Sequence, residues 1–163
     1  WIGDKYDGLG RVTAIAAQCS LAASTRALPV GAGGAGRAIA VALASAGVGF
    51  LAIANRTKDK AEDLARTVRQ AVPTCEVEAG TAFDPAPFEL VINATSLGLH
   101  GHGALPVDVT RLAANTLVAD AVMMPETTPL LQAAQARGLR IVRGYEMLSH
   151  QIAGLAEFFG ITA

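Results

Sequence analysis

The sequence predicts a doubly wound α/β domain with a mainly parallel sheet and helices on both faces. Short apolar runs alternate with helix-length segments along the chain. Those runs are continuously apolar, as strands covered on both faces must be. A glycine-rich turn separates the first run from an Ala-rich helical stretch. Strands joined by crossovers of such length pair in parallel.

Taken in order, a helix over about 10–19 leads in, and residues 27–30 form an extended run ending in glycines. Residues 34–46 are rich in alanine and favour helix. Residues 50–54 read as a buried strand. Over 58–71 the helical spacing puts Ala61, Leu64, Ala65 and Val68 on one face, and Pro73 ends the helix. A third strand is expected at 75–79, and interior strands at 89–92 and 117–119. Residues 128–137 form a helix stopped by Gly138. A last strand over 140–142 and a closing helix over 147–159 complete the pattern. Loops at 84–87 and 98–106 are rich in Gly and Pro. Pro29 falls inside the first strand and cannot donate to a ladder. That strand must leave one donor position unused, or distort there.

A chain of 163 residues suits one domain with a real core. Residues 1–163 are read as that domain, with about 1–25 as a linking segment and helix. Apolar residues make up 52%, charged residues 17%, and mean hydropathy is +0.38. A doubly covered sheet explains this, as does an apolar face awaiting a partner domain or subunit. No apolar stretch reaches the roughly 18 residues that cross a bilayer, so no membrane partner is expected. A net charge of -1 argues against nucleic acid, which selects a basic excess. Cys19 and Cys75 lack CxxC spacing, and no secretory signal is visible, so the expectation is cytoplasmic, with thiols buried or half-buried. The chain opens on Trp1 and reads as entering in mid-protein.

The strongest local motif is Gly31-Ala32-Gly33-Gly34-Ala35-Gly36, which carries G-x-G-x-x-G. The first glycine permits the tight turn, the second lets backbone approach a pyrophosphate, and the third allows helix and strand to pack closely. The following helix aims its free N–H groups and positive dipole end at the anion. This context makes the domain Rossmann-type. An acid about 20 residues further on would hold a ribose 2′-hydroxyl. Asn55-Arg56-Thr57 stands there instead, followed by Lys58. Arg56 offers a charged fork suited to a 2′-phosphate, and Asn55 and Thr57 offer neutral hydrogen-bonding groups. The cofactor expected is NADP(H). Thr57 is also placed to cap the next helix.

These motifs together resemble the C-terminal part of the shikimate dehydrogenase family. Gly31 to Ala35 is similar to the family's GAGGA loop, and Asn55-Arg56-Thr57 to its NRT motif. Val91-Ile92-Asn93-Ala94-Thr95-Ser96-Leu97-Gly98 resembles its I-N-A-T-x-x-G segment. Thr128-Pro129-Leu130-Leu131 followed by Gly138 resembles its T-P-L-L helix. Gly144-Tyr145-Glu146-Met147-Leu148 with Gln151 resembles its G-x-x-M-L-x-x-Q block, and Gly3-Asp4-Lys5-Tyr6-Asp7-Gly8 its G-D-N-T-D-G opening. The resemblance implies that Asp7 faces the substrate and pairs with a catalytic lysine. It implies that Gly144 and Met147 line the nicotinamide site, that Gln151 reaches a substrate hydroxyl, and that Ala94, Thr95 and Ser96 lie near the cofactor. The family's lysine and most substrate contacts belong to an N-terminal domain outside this chain. The chain alone is therefore expected to bind NADP(H) without catalysing.

Two departures bear on the substrate. Met123 aligns with a family tyrosine that touches the substrate carboxylate, and a thioether cannot donate a hydrogen bond. Lys5 and Tyr6 replace the usual Asn and Thr. A shikimate-like hydroxy acid is the expected substrate, with quinate or a related polyol, or a noncatalytic NADP-sensing module, as alternatives. A homodimer is a further open expectation. His100-Gly101-His102 lacks a third metal ligand and reads as a mobile solvated loop. His150 reads as structural or on the surface. Arg137, Arg140 and Arg143 read as one solvated basic face.

Overall fold

The structure, a computed structural model, describes residues 12–148. Six strands form one sheet: β1 Arg26–Val30, β2 Phe50–Ala54, β3 Glu76–Gly80, β4 Leu90–Asn93, β5 Leu117–Asp120 and β6 Arg140–Val142. Their order is β3-β2-β1-β4-β5-β6, and each neighbouring pair is parallel. The helices are α1 Gly34–Ser45, α2 Lys58–Ala71 and α3 Pro129–Ala136. Residues 12–16 and 144–148 are also helical. The chain winds outward from β1 to β3, then returns to lay β4 on the other side of β1. That reversal opens a crevice at the C-terminal ends of β1 and β4, where such sheets bind ligands.

Period-two alternation along the strands feeds two separate cores. Leu51, Ile53, Leu90, Ile92 and Leu117 pack with Ile39 and Leu43 of α1 and Leu64 and Val68 of α2. Ala52, Val91 and Val118 point the other way, onto Leu130 and Leu131 of α3, Phe88 and Val109. α2 buries the four residues that its spacing marks, with Asp59 in its first turn and Arg69 in its last, as the helix dipole favours.

Pro29 interrupts one ladder. β1 pairs with β2 at Arg26↔Phe50, Ala27↔Leu51 and Val30↔Ala54, and with β4 at four consecutive positions from Ala27↔Leu90 to Val30↔Asn93. Thr25 and Gly31 bond toward β2, while Arg26 and Val30 bond toward β4. Odd-numbered residues therefore face β2, and so does the donor that proline lacks. The two pairs absent from the β2 register, at Leu28 and Pro29, are those that need it. The strand leaves one donor position unused without distorting.

The loops expected at 84–87 and 98–106 are present, while several element bounds differ from the sequence pattern. No helix covers the crossover from β3 to β4. There Asp84 accepts the Ala86 N–H (3.2 Å) and pairs with Arg111 (2.6 Å), and Pro85 and Pro87 remove donors that a helix would use. The link from β4 to β5 contains only the 3-10 turns Leu99–Gly101 and Val109–Arg111. β4 and β5 each run one residue further than expected, to Asn93 and Asp120, and β3 starts at Glu76. The last helical segment starts at residue 144, ahead of the expected 147, and its continuation lies outside the described residues. The arginines are separate anchors rather than one face. Arg137 donates to the carbonyls of Val109 and Leu112, Arg140 to that of Gln18, and Arg143 pairs with Glu146 (3.0 Å) and Glu126 (3.8 Å). Cys75 is buried and Cys19 half-buried, and burial pushes both thiols up. No described helix is long and apolar enough to cross a membrane.

Candidate cofactor site

β1 runs into Gly31 at φ +113°, a conformation that side chains rarely adopt; a Cβ there would lie 2.7 Å from the Ala94 carbonyl oxygen. At Gly36, in the first turn of α1, a Cβ would come within 2.0 Å of the Gly31 carbonyl oxygen. The chain itself requires these two glycines. It does not require Gly33 or Gly34, where a Cβ would meet nothing within 4 Å. Gly33 has φ -80° and is the N-cap of α1, with no side-chain cap and no acid in the first turn. The orphan N–H groups of that turn thus border open space. Such a cradle fits a diphosphate, admitted by the missing side chains and attracted by the dipole.

Asn55 follows β2 and ties this loop down. Its Oδ1 accepts the Ala32 N–H (3.1 Å), and its Nδ2 donates to the Thr57 carbonyl (2.8 Å). Both ends of its amide serve the loop, and these bonds use one of the two Nδ2 donors. Thr57 occupies the N-cap of α2, yet its hydroxyl makes no capping bond. That hydroxyl stays open beside Arg56. Lys58 pairs with Glu62 (3.3 Å). Arg56 is exposed and has no side-chain hydrogen bond or ion pair among the described residues. A cavity of about 360 Å³ lies beside the ends of β1 and β2, lined in part by Val30, Ala54, Phe83 and Leu105.

Across the switch point, Ala94 packs against Gly31 and Gly36. Thr95 is half-buried and Ser96 exposed on the same loop. Asn93 and Asp120 end adjacent strands, both fully buried. Asn93 Nδ2 donates to Asp120 Oδ1 (2.9 Å) and to the Leu97 carbonyl (2.9 Å). Asn93 Oδ1 accepts from the Thr95 N–H (3.0 Å) and hydroxyl (2.7 Å), and Thr95 Oγ1 accepts the Leu97 N–H (3.0 Å). Asp120 also accepts the Val122 N–H (2.9 Å) and the Thr128 hydroxyl (2.6 Å). Thr128 caps α3 by accepting the Leu131 N–H (3.4 Å). Burial raises the Asp120 carboxyl above its usual range, against the pull of the Thr128, Val122 and Asn93 donors.

The structure therefore brings Gly31 to Ala35, Asn55 to Thr57 and Ala94 to Ser96 to one crevice. Met123 and Met124 follow β5 at the same edge and are 50% and 71% exposed. Gly144 is buried, and a Cβ there would lie 2.5 Å from the Val122 carbonyl oxygen, so packing alone demands glycine. Met147 is 0% exposed, within the first core. Asp7, His150 and Gln151 lie outside the described residues. His100 and His102 are exposed, but their loop is built: the His100 N–H donates to the Met124 carbonyl (3.1 Å). No group of three or more potential metal ligands occurs among the described residues. The sequence pattern missed Asp120. Its signal was an acid closing an apolar run eight residues before a Thr-Pro helix start.

Comparison with known proteins agrees with this geometry. The family model of shikimate / quinate 5-dehydrogenase matches residues 14–97. The shikimate dehydrogenase (NADP(+)) of Acidiphilium cryptum is 43% identical over 161 residues, 98% of this chain and 57% of that protein. Ligand-free 5-ketofructose reductase of a Gluconobacter strain has a similar structure, with a TM-score of 0.85 and 36% identity, covering 94% of this chain and 57% of that one. Quinate dehydrogenase from Corynebacterium glutamicum in complex with NAD has a TM-score of 0.81 and 32% identity, covering 90% and 54%. The chain thus spans little more than half the length of these relatives. Matched by the family model over the glycine loop, the Asn-Arg-Thr turn and the Asn93 segment, the chain belongs to the shikimate / quinate 5-dehydrogenase family.

Proposed function

We propose that this chain is the NADP-binding part of a dehydrogenase acting on a shikimate-like hydroxy acid. Arg56 carries the reading. It stands exposed at the end of β2, without a partner among the described residues and with no acid at residues 55–58. A 2′-phosphate gives its guanidinium a bidentate partner, whereas an unphosphorylated ribose calls for a carboxylate here. The Acidiphilium relative is named for NADP(+) and the Corynebacterium structure holds NAD. The turn after β2 is what separates the two cofactors in this chain.

A bound nicotinamide supplies the hydride chemistry. The protein's part is to hold and orient. The first turn of α1 seats the diphosphate, Arg56 and the Thr57 hydroxyl take the 2′-phosphate, and Ala94, Thr95 and Ser96 border the cofactor across the switch point. Gly144 and Met147 stand at the nicotinamide end, Met147 from within the core. Asp7 shares the proton of the reacting hydroxyl with a lysine from a further domain. Gln151 holds a second substrate hydroxyl. Exposed Met123 favours a second reading of the substrate, as a polyol with no carboxylate at that place, since a thioether offers no donor to one.

Fluorescence titration with NADPH and NADH tests the reading. NADPH is expected to bind at least about tenfold more tightly, and Arg56→Ala to abolish the preference, since hydrogen bonds to charged groups contribute about 1.5–3 kcal/mol. NADH binding as tightly as NADPH would reverse the assignment.

A further inference from the structure

We propose that Asp120 is a positioning residue that locks the loop of Thr95 to the loop of Met123, so that both borders of the crevice hold one arrangement. The consequence for catalysis rests on the function proposed above; the coupling itself rests on contacts within the chain. The Asp120 carboxylate is fully buried and has no cation partner among the described residues. A buried charge persists only where donors satisfy it. Its three donors come from three places: the Asn93 side chain at the end of β4, the Val122 main chain after β5, and the Thr128 hydroxyl at the cap of α3.

Asn93 carries the tie onward. One end of its amide spans from Asp120 to the Leu97 carbonyl, and the other holds Thr95 by main chain and hydroxyl together. Thr95 and Leu97 therefore depend on Asp120 without touching it. A second strut closes the far side, where the His100 N–H donates to the Met124 carbonyl (3.1 Å). An apolar side chain would fill the Asp120 site but would not fix the Asn93 amide, and satisfied polar networks select one geometry.

Hydrogen exchange on the chain without ligand tests the coupling. In Asp120→Ala the Thr95 and Leu97 amides should exchange about tenfold faster, the effect of one hydrogen bond. Asp120→Asn, which keeps an acceptor toward Asn93 and Val122, should restore slow exchange there. Asp120→Leu fills the site and serves if the alanine variant does not fold. Leu64→Ala, a remote core change, controls for lost stability and should leave those two amides slow relative to global opening. Acceleration confined to Val122 and Leu131, or shared with Leu64→Ala, would overturn the proposal. NADPH titration of the same variants reads the consequence: weaker binding in Asp120→Ala than in Leu64→Ala supports positioning, and equal binding opposes it. A wild-type chain that fails to bind NADPH would sink the cofactor reading, while the exchange data still decide the coupling.

Discussion

Gly33 and Gly36 share one turn but answer to different demands. A Cβ at Gly36 meets the Gly31 carbonyl oxygen at 2.0 Å, so Gly36→Ala must push backbone apart. Such overpacking costs about 1–3 kcal/mol or more. A Cβ at Gly33 meets open space, and φ -80° suits alanine. Alanine at an N-cap costs about 1 kcal/mol or less against glycine. Thermal unfolding should therefore fall sharply for Gly36→Ala and little for Gly33→Ala, whereas NADPH titration should show Gly33→Ala impaired. Wild-type affinity in Gly33→Ala would show that no ligand approaches there. The spacing of these glycines was legible because each requirement is local. The double duty of Asn55 was not, since its partner Ala32 lies 23 residues away and meets it only once the sheet forms.

At the scale of elements, continuous apolar runs were enough to read the strands, but not where they stop. Asn93 and Asp120 extend β4 and β5 because each pairs across the sheet, a contact invisible in either run alone. The crossover from β3 to β4 was legible as a loop from its prolines, but the Asp84–Arg111 pair that closes it, 27 residues apart, was not. Asp120 leaves a pH signature at this scale. Its folded carboxyl sits above its unfolded value, mainly through burial. The stability it contributes is thus fully present below the unfolded pKa of about 3.9 and is lost as pH rises through the folded value. Asp84 has the opposite sign. The Arg111 side chain holds its carboxyl low, and its contribution is lost as pH falls through the folded value. Urea unfolding at neutral pH and near pH 4 should show wild type gaining on Asp120→Asn as pH falls, and losing ground against Asp84→Asn. A gap to Asp120→Asn that stays constant with pH would remove its titration from the folding equilibrium.

For the whole molecule, the groups proposed to seat the diphosphate and the 2′-phosphate lie within the described residues, whereas Asp7 and Gln151, proposed for the substrate, lie outside them. Leu97, Leu99, Met123 and Met124 stay exposed in the segments that follow β4 and β5, and Tyr145 in the helical segment after β6. The chain spans 57% of its Acidiphilium relative. Binding the cofactor and turning over a substrate should therefore separate. A ligand that binds only the folded state at 100 times its Kd adds about 2.7 kcal/mol. For a chain of this size that raises Tm by about 5–11 °C. NADPH should produce that rise in differential scanning fluorimetry, and NADH at equal concentration a smaller one. The same preparation given NADP and shikimate should form no NADPH at 340 nm, because the proton-handling lysine is proposed to lie in another domain. Turnover by the chain alone would place the whole proton relay within these 163 residues, leaving Asp7 without the partner assigned to it. A Tm unmoved by either cofactor would instead empty the glycine cradle of its proposed occupant.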